Sequence, residues 1–149
     1  MAIDAGTTGV RCRAVFVDDQ EVVAAYREFT QHFPEPGWVE HDAEEIWSAV
    51  VETFNEVVAQ IGTPLAIGIT NQRETVVAWN RSTGEVYGRA IVWQDRRSAP
   101  MCEKLSLDGH LETVRSITGL VLDPYFSASK IEWMIEHGNL QIDNHLAVG

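Results

Sequence analysis

The chain has 149 residues, 45 % of them apolar and 22 % charged, which is enough for a domain with a real core. Lys and Arg number 11 against 22 Asp and Glu, a formal net charge of −11. That balance excludes a phosphate-tracking nucleic-acid surface and docking on anionic lipid, and no apolar run nears the roughly 20 residues of a membrane span.

Met1-Ala2-Ile3-Asp4 reads as a strand near its end. Residues 11–17 and 21–29 read as two further strands of a β-meander, joined by a turn at Asp18-Asp19-Gln20. Pro34, Pro36 and Gly37 mark a loop. Asp42 opens the clearest helix, with Asp42 and Glu45 spaced as a capping box. Ile46, Trp47, Val50, Phe54, Val57, Val58 and Ile61 recur at helical spacing, and Gly62 stops the run. Residues 65–70, 75–80 and 86–93 read as strands, the first two flanking a polar stretch and the last two joined by a turn at 81–84. The first two resemble buried strands. After Asp95 the pattern is helical over 98–105, 111–117 and 127–136, the last ended by Gly138. His145 to Gly149 begins a new apolar run. The whole predicts an α/β domain with a mixed sheet. Neither end carries a polar tail, which suggests a piece truncated at both ends.

Four stretches suit chemistry. "IDAGTTGVR", residues 3–11, puts Gly6 and Gly9 around two threonines after a strand. Such a turn can aim backbone N–H groups and the Thr7 and Thr8 hydroxyls at one anion. Arg11 can cover phosphoryl charge, and Asp4 can hold Mg²⁺ directly or through water. The same residues also suit a plain β-hairpin. In "ITNQRET", residues 69–75, Arg73 donates and Glu74 accepts, so together they match vicinal hydroxyls. Strand neighbours face opposite ways, so both serve one ligand only where the strand bends or ends. An exposed polar turn is the alternative. Trp93 in "IVWQDRR" offers a flat wall for carbon atoms, or a core tryptophan. Asp95, Arg96 and Arg97 read as a helix start with solvated charges. Tyr125 in "LDPYFSASK" offers a polar tip, with core packing as its default. His32, His41, His110, His137 and His145 lack metal spacing and read as surface or loop residues. Cys12 and Cys102 lack zinc spacing and read as free thiols of a cytoplasmic protein.

In order along the chain, "IDAGTTGVR", "PGWVEHDAEEIW", "IGITNQRETVVAW", "AIVWQDRR" and "TGLVLDPYFSASKIEWM" resemble the N-terminal domain of the FGGY carbohydrate kinases. The match covers nearly the whole chain, 1–149, and Asn71-Gln72-Arg73-Glu74-Thr75 is the form found in the glycerol-specific branch. The resemblance implies a ribonuclease-H-like domain of the actin-like ATPase superfamily, the first of two. It implies transfer of phosphate from ATP, with Mg²⁺, to glycerol, giving glycerol 3-phosphate and ADP. Thr7, Thr8, Gly9 and Arg11 would line the nucleotide phosphates and Asp4 would lie near the metal. Arg73, Glu74, Trp93 and Tyr125 would hold glycerol. The general base and the C-terminal nucleotide domain would lie beyond Gly149, so the isolated piece is expected to be inactive. A homo-oligomer of the full-length protein is compatible with the resemblance. Two departures stand out: Ala5 replaces a common Gln, and Gly9 replaces a common Ser and so lacks a hydroxyl. Alternatives are another FGGY polyol or sugar kinase, and a non-metabolic actin-like ATP-binding module.

Overall fold

The computed structural model describes residues 1–17, 23–138, 140 and 142–149. The chain divides into two compact units, Met1–Gln31 with His41–Arg73, and His32–Glu40 with Glu74–Gly149.

In the first unit, β1 (Ala2–Ala5), β2 (Gly9–Arg13) and β3 (Ala24–Glu28) form the expected antiparallel meander. The strands are shorter than their composition suggests; the expected turn at 18–20 and the start of the third strand at 21–22 lie outside the described residues. Burial alternates along β1 and β2. Ile3, Val10 and Cys12 point into the core, while Asp4, Arg11 and Arg13 stay exposed. β4 (Glu40–His41) leads the chain into α1 (Ala43–Ile61).

Asp42 caps α1 by accepting from the backbone N–H of Glu44 at 2.9 Å and of Glu45 at 3.4 Å. Such a cap contributes about 1 kcal/mol. The Glu45 carboxylate does not complete the expected box: it accepts from the N–H of Thr30 at 2.9 Å, pinning the helix start to the residue beyond β3 and its neighbour Phe29. Gly62 ends the helix at φ 76°, its N–H on the Val58 carbonyl. Ala49, Thr53 and Val57, one per turn, face the sheet, and Thr53 satisfies its hydroxyl on the Ala49 carbonyl at 2.7 Å. Trp47, expected in this stripe, is largely exposed. It sits at the stripe's edge, because successive residues turn by about 100°.

β5 (Gly68–Thr70) joins β1 in parallel, and the sheet order β3-β2-β1-β5 is mixed, as expected. The expectation of a buried strand over 65–70 is corrected. Only residues 68–70 pair, and Leu65, Ile67 and Ile69 are exposed, Ile69 by 74 %. β5 is the edge of the sheet, and α1 packs on β1, β2 and β3.

In the second unit, β6 (Ala78–Asn80) and β7 (Ala90–Ile91) are short cores of the two expected strands, supplemented by isolated bridges Val76–Ile91 and Trp79–Val86. The turn between them forms as expected. Asn80 Oδ1 accepts from the N–H of Ser82 and of Thr83, and Gly84 takes φ 79°. α2 (Ala99–Leu107), α3 (Leu111–Thr118) and α4 (Ser127–His137) match the expected helices closely. β8 (Leu146–Val148), foreshadowed by the terminal apolar run, pairs antiparallel with β6. Val76, Ala78, Ile91 and Met134 form the core of this unit, with Trp133, Leu146 and Val148 packed on it. Among the described residues no helix is long and apolar enough to cross a membrane.

Candidate functional site

The Gly-Thr turn of the first unit is a tight hairpin. Gly6 N–H donates to the Gly9 carbonyl at 3.0 Å, and Asp4 stands directly across from Arg11. Both are exposed, on the face opposite Ile3, Val10 and Cys12. The turn is braced from below. Gln31 Nε2 donates to the Thr7 carbonyl at 3.0 Å, and Gln31 Oε1 meets His41 Nε2 at 2.6 Å. His41 is fully buried, edge-on to Phe29, so its reading as a surface or loop residue is corrected. The sequence offered no sign of this, because its partner Gln31 lies ten positions earlier in the chain. Thr8 Oγ1 lies 3.3 Å from Tyr26 Oη, and the Arg11 guanidinium sits over the Tyr26 ring at 5.4 Å.

Gly9 has a steric cause. A Cβ there would lie 2.4 Å from the Arg27 carbonyl oxygen and 2.6 Å from Tyr26 Oη. The close approach of β2 to β3 therefore excludes a side chain, and the missing serine hydroxyl is a consequence of packing. Asp4 is a single exposed carboxylate, and among the described residues no three His, Cys, Asp or Glu side chains gather. One carboxylate suits Mg²⁺, which takes most of its ligands from phosphate oxygens and water; it does not suit a metal caged wholly by protein.

Arg73, exposed in the turn after β5, is the last residue of the first unit. Glu74 opens the second and is, among the described residues, the one non-glycine with positive φ, 66°. Holding glutamate left-handed costs roughly 1–2 kcal/mol, and such cost persists where surroundings over-determine it. The surroundings are visible: Glu74 Oε2 accepts from Ser127 N–H at 2.9 Å and from Ser127 Oγ at 2.7 Å. The left-handed residue also breaks strand alternation, which the sequence reading required of this pair.

Trp93 and Tyr125 come together in the second unit, ring centroids 5.9 Å apart and nearly perpendicular. Thr75 Oγ1 accepts from Trp93 N–H at 3.2 Å, so the residue after Glu74 holds the tryptophan backbone. Tyr125 is 38 % exposed, against its default of core packing, and Asp123 Oδ1 fixes its N–H at 2.8 Å. Glu74, Trp93 and Tyr125 thus share one corner built from the start of α4 and the ends of two β-segments. The unit's apolar hollow of about 310 Å³, lined by residues such as Met101, Leu105, Val114 and Phe126, contains none of the three.

The largest correction concerns Asp95 and Arg97, expected as solvated charges. Asp95 is 1 % exposed and the Arg97 side chain 2 %. Asp95 accepts from Val39 N–H at 2.7 Å, from Arg97 N–H at 2.8 Å, and twice from the Arg97 guanidinium at 2.9 and 2.8 Å. Arg97 also reaches Glu40 at 2.8 Å, and lies 3.8 Å from the Trp38 ring centroid and 4.7 Å from that of Trp133. Arg96 stays exposed. The bond from Arg97 N–H to Asp95 is an Asx turn, a local pattern the sequence does carry. The burial depends on Trp38, Val39 and Glu40, which are more than 50 positions away.

A family model for the N-terminal domain of the FGGY carbohydrate kinases matches residues 1–145. The chain belongs to the FGGY family of carbohydrate kinases. This FGGY chain is 52 % identical over 140 residues to a glycerol kinase of Gluconobacter oxydans, covering 92 % of itself and 27 % of the relative. It is 51 % identical over 140 residues to a glycerol kinase of Agrobacterium fabrum, covering 91 % of itself and 28 % of that protein. It therefore spans under a third of the length of these relatives. The crystal structure of Plasmodium falciparum glycerol kinase with ADP superposes with a TM-score of 0.93 at 32 % identity, over 99 % of this chain and 31 % of that one. Xylulose kinase from Rhodospirillum rubrum superposes at 0.82 and 25 % identity, over 91 % of this chain and 28 % of that one. The mixed α/β architecture expected of the family is thus the one observed.

Proposed function

We propose that this FGGY chain is the amino-terminal part of a kinase that transfers phosphate from ATP to glycerol, giving glycerol 3-phosphate in the cytoplasm, where ATP is held. The observation that carries the choice of glycerol is the Glu74 corner. The Glu74 carboxylate is held by two donors of Ser127, two positions after Tyr125. The next residue, Thr75, holds the Trp93 backbone, and Trp93 and Tyr125 are in ring contact. The preceding chain neighbour of Glu74 is the exposed cation Arg73. Identity of about half with the two bacterial glycerol kinases, and of 32 % with the solved glycerol kinase against 25 % with the solved xylulose kinase, supports the same choice.

In this reading the Thr7, Thr8 and Gly9 turn presents N–H and hydroxyl donors to the nucleotide phosphates, and Arg11 faces their charge. Asp4 would hold Mg²⁺, alone or through water, and Mg²⁺ neutralises charge on the transferring group when bound. Arg73 donates to glycerol hydroxyls and Glu74 accepts from them, Tyr125 contributes its phenol, and Trp93 lies against the carbon chain. No residue of the chain is assigned as general base. Phosphoryl transfer depends mainly on placement and charge stabilisation, and these are the services such residues provide.

Coupled ADP-release kinetics on the full-length polypeptide test the reading. Glycerol-dependent turnover is expected there, and none from residues 1–149 alone. Turnover with xylulose but not glycerol would transfer the assignment to a sugar kinase of the same family.

A further inference from the structure

The first turn of α4 makes contacts that the polyol reading leaves unexplained. Ser127 places both its N–H and its hydroxyl on one oxygen of Glu74, at 2.9 and 2.7 Å. Both donors act on Oε2 and so anchor that oxygen at the start of α4. One turn later Lys130 is 0 % exposed. Its Nζ donates to three successive carbonyls, those of Pro124, Tyr125 and Phe126, at 2.9, 2.5 and 3.1 Å. The position falls in the buried stripe of α4 with Met134, where an apolar residue would pack at no desolvation cost. A lysine there gathers the loop that carries Tyr125. Ser129 Oγ, 2.9 Å from buried Ser98 Oγ, ties the same turn to the start of α2.

We propose that Ser127 and Lys130 are positioning residues for the acceptor substrate: Ser127 aims the Glu74 carboxylate, and Lys130 sets the backbone that presents Tyr125. The inference rests on the reading of Glu74 and Tyr125 as glycerol ligands. Neither residue touches substrate. Each acts through the group it holds, so loss of either displaces a ligand and leaves the nucleotide turn, in the other unit, as it was. A misplacement of about 1 Å in such a group is enough to cost on the order of a hundredfold.

Steady-state kinetics of the full-length chain, varying glycerol and ATP separately, make the test. Ser127→Ala is expected to raise KM for glycerol about 10- to 100-fold with KM for ATP within about twofold, and Ser127→Thr, which keeps the hydroxyl, to restore most of the loss. In a Glu74→Gly background, chosen because glycine accepts the left-handed backbone, Ser127→Ala is expected to add nothing. Lys130→Met is expected to show the same split; should it fail to fold, Lys130→Gln, which keeps an N–H donor, takes its place with a smaller shift. Equal loss for both substrates, or losses at Ser127 and Glu74 that simply add, would overturn the proposal. A ligand-free arm separates it from the functional reading. By NMR of the ligand-free chain, Glu74→Gly should move the Ser127 amide proton more than the amides further along α4, because that amide alone among them loses its carboxylate acceptor. An amide blind to Glu74 overturns the positioning claim alone. A wild-type chain that ignores glycerol overturns the functional reading, and with it the substrate role given to Ser127 and Lys130.

Discussion

Replacing Asp95 by alanine probes the buried charge cluster of the second unit. The carboxylate accepts four hydrogen bonds, two from backbone N–H groups and two from the Arg97 guanidinium. Its loss leaves Arg97, 2 % exposed, with Glu40 as remaining anion, and strips the acceptor from the N–H of Val39 and of Arg97. Removing one partner of a buried pair costs about 3–5 kcal/mol. For a chain of this size each kcal/mol moves the melting point by about 2–4 °C, so a fall of roughly 6–20 °C is expected. Asp95→Asn keeps one acceptor oxygen and should cost less, about 1–3 kcal/mol. Four of the five tryptophans, Trp38, Trp79, Trp93 and Trp133, lie in the second unit and Trp47 in the first, so intrinsic fluorescence in a Trp47→Phe background reports the melting of the second unit. A change below about 1 kcal/mol in Asp95→Ala would mean that Arg97 is solvated, and would refute the reasoning.

Other consequences are as direct. Gly9→Ser puts Cβ against the Arg27 carbonyl, so β2 and β3 must part; a loss of about 1–3 kcal/mol in urea denaturation is expected, and an unchanged midpoint would contradict the packing account. Ile69→Thr should be nearly neutral, within about 0.5 kcal/mol, because the side chain is exposed at the sheet edge; a loss several times larger would show that it is covered in solution. Cys12 and Cys102 are free and buried, and burial pushes the Cys12 thiol above its ordinary range. The thiolate of Cys12 therefore forms only at higher pH in the folded chain than in the unfolded one. Ellman's reagent at pH 8 should find neither thiol before urea and both after it, and rapid reaction of the folded chain would contradict the core assignment.

Legibility in the sequence followed the range of the interactions. The start and stop of α1, the turn at 81–84 and the mixed character of the sheet were readable because caps, turn residues and strand spacing act over a few positions. Glu74 was singled out by its place between two apolar runs, but its left-handed backbone was not readable, because it depends on the Ser127 donors that hold its carboxylate. The burial of Asp95, Arg97 and His41 was not readable, because each depends on a partner brought in by the fold. Lys130 left a faint trace, a lysine one turn before Met134 in an apolar stripe, which its cage of carbonyls explains. The run at 65–69 misled for the opposite reason. Its composition suits a buried strand, but its pairing leaves it at a sheet edge.

The central claim is that residues 73–74 receive the acceptor polyol, and titration calorimetry of the full-length polypeptide with glycerol and with ATP tests it most directly. Removing a charged donor costs about 1.5–3 kcal/mol, so Arg73→Ala should weaken glycerol about 10- to 150-fold and leave ATP within about twofold. Equal weakening of both ligands, or glycerol binding as tight as in the parent, would contradict it.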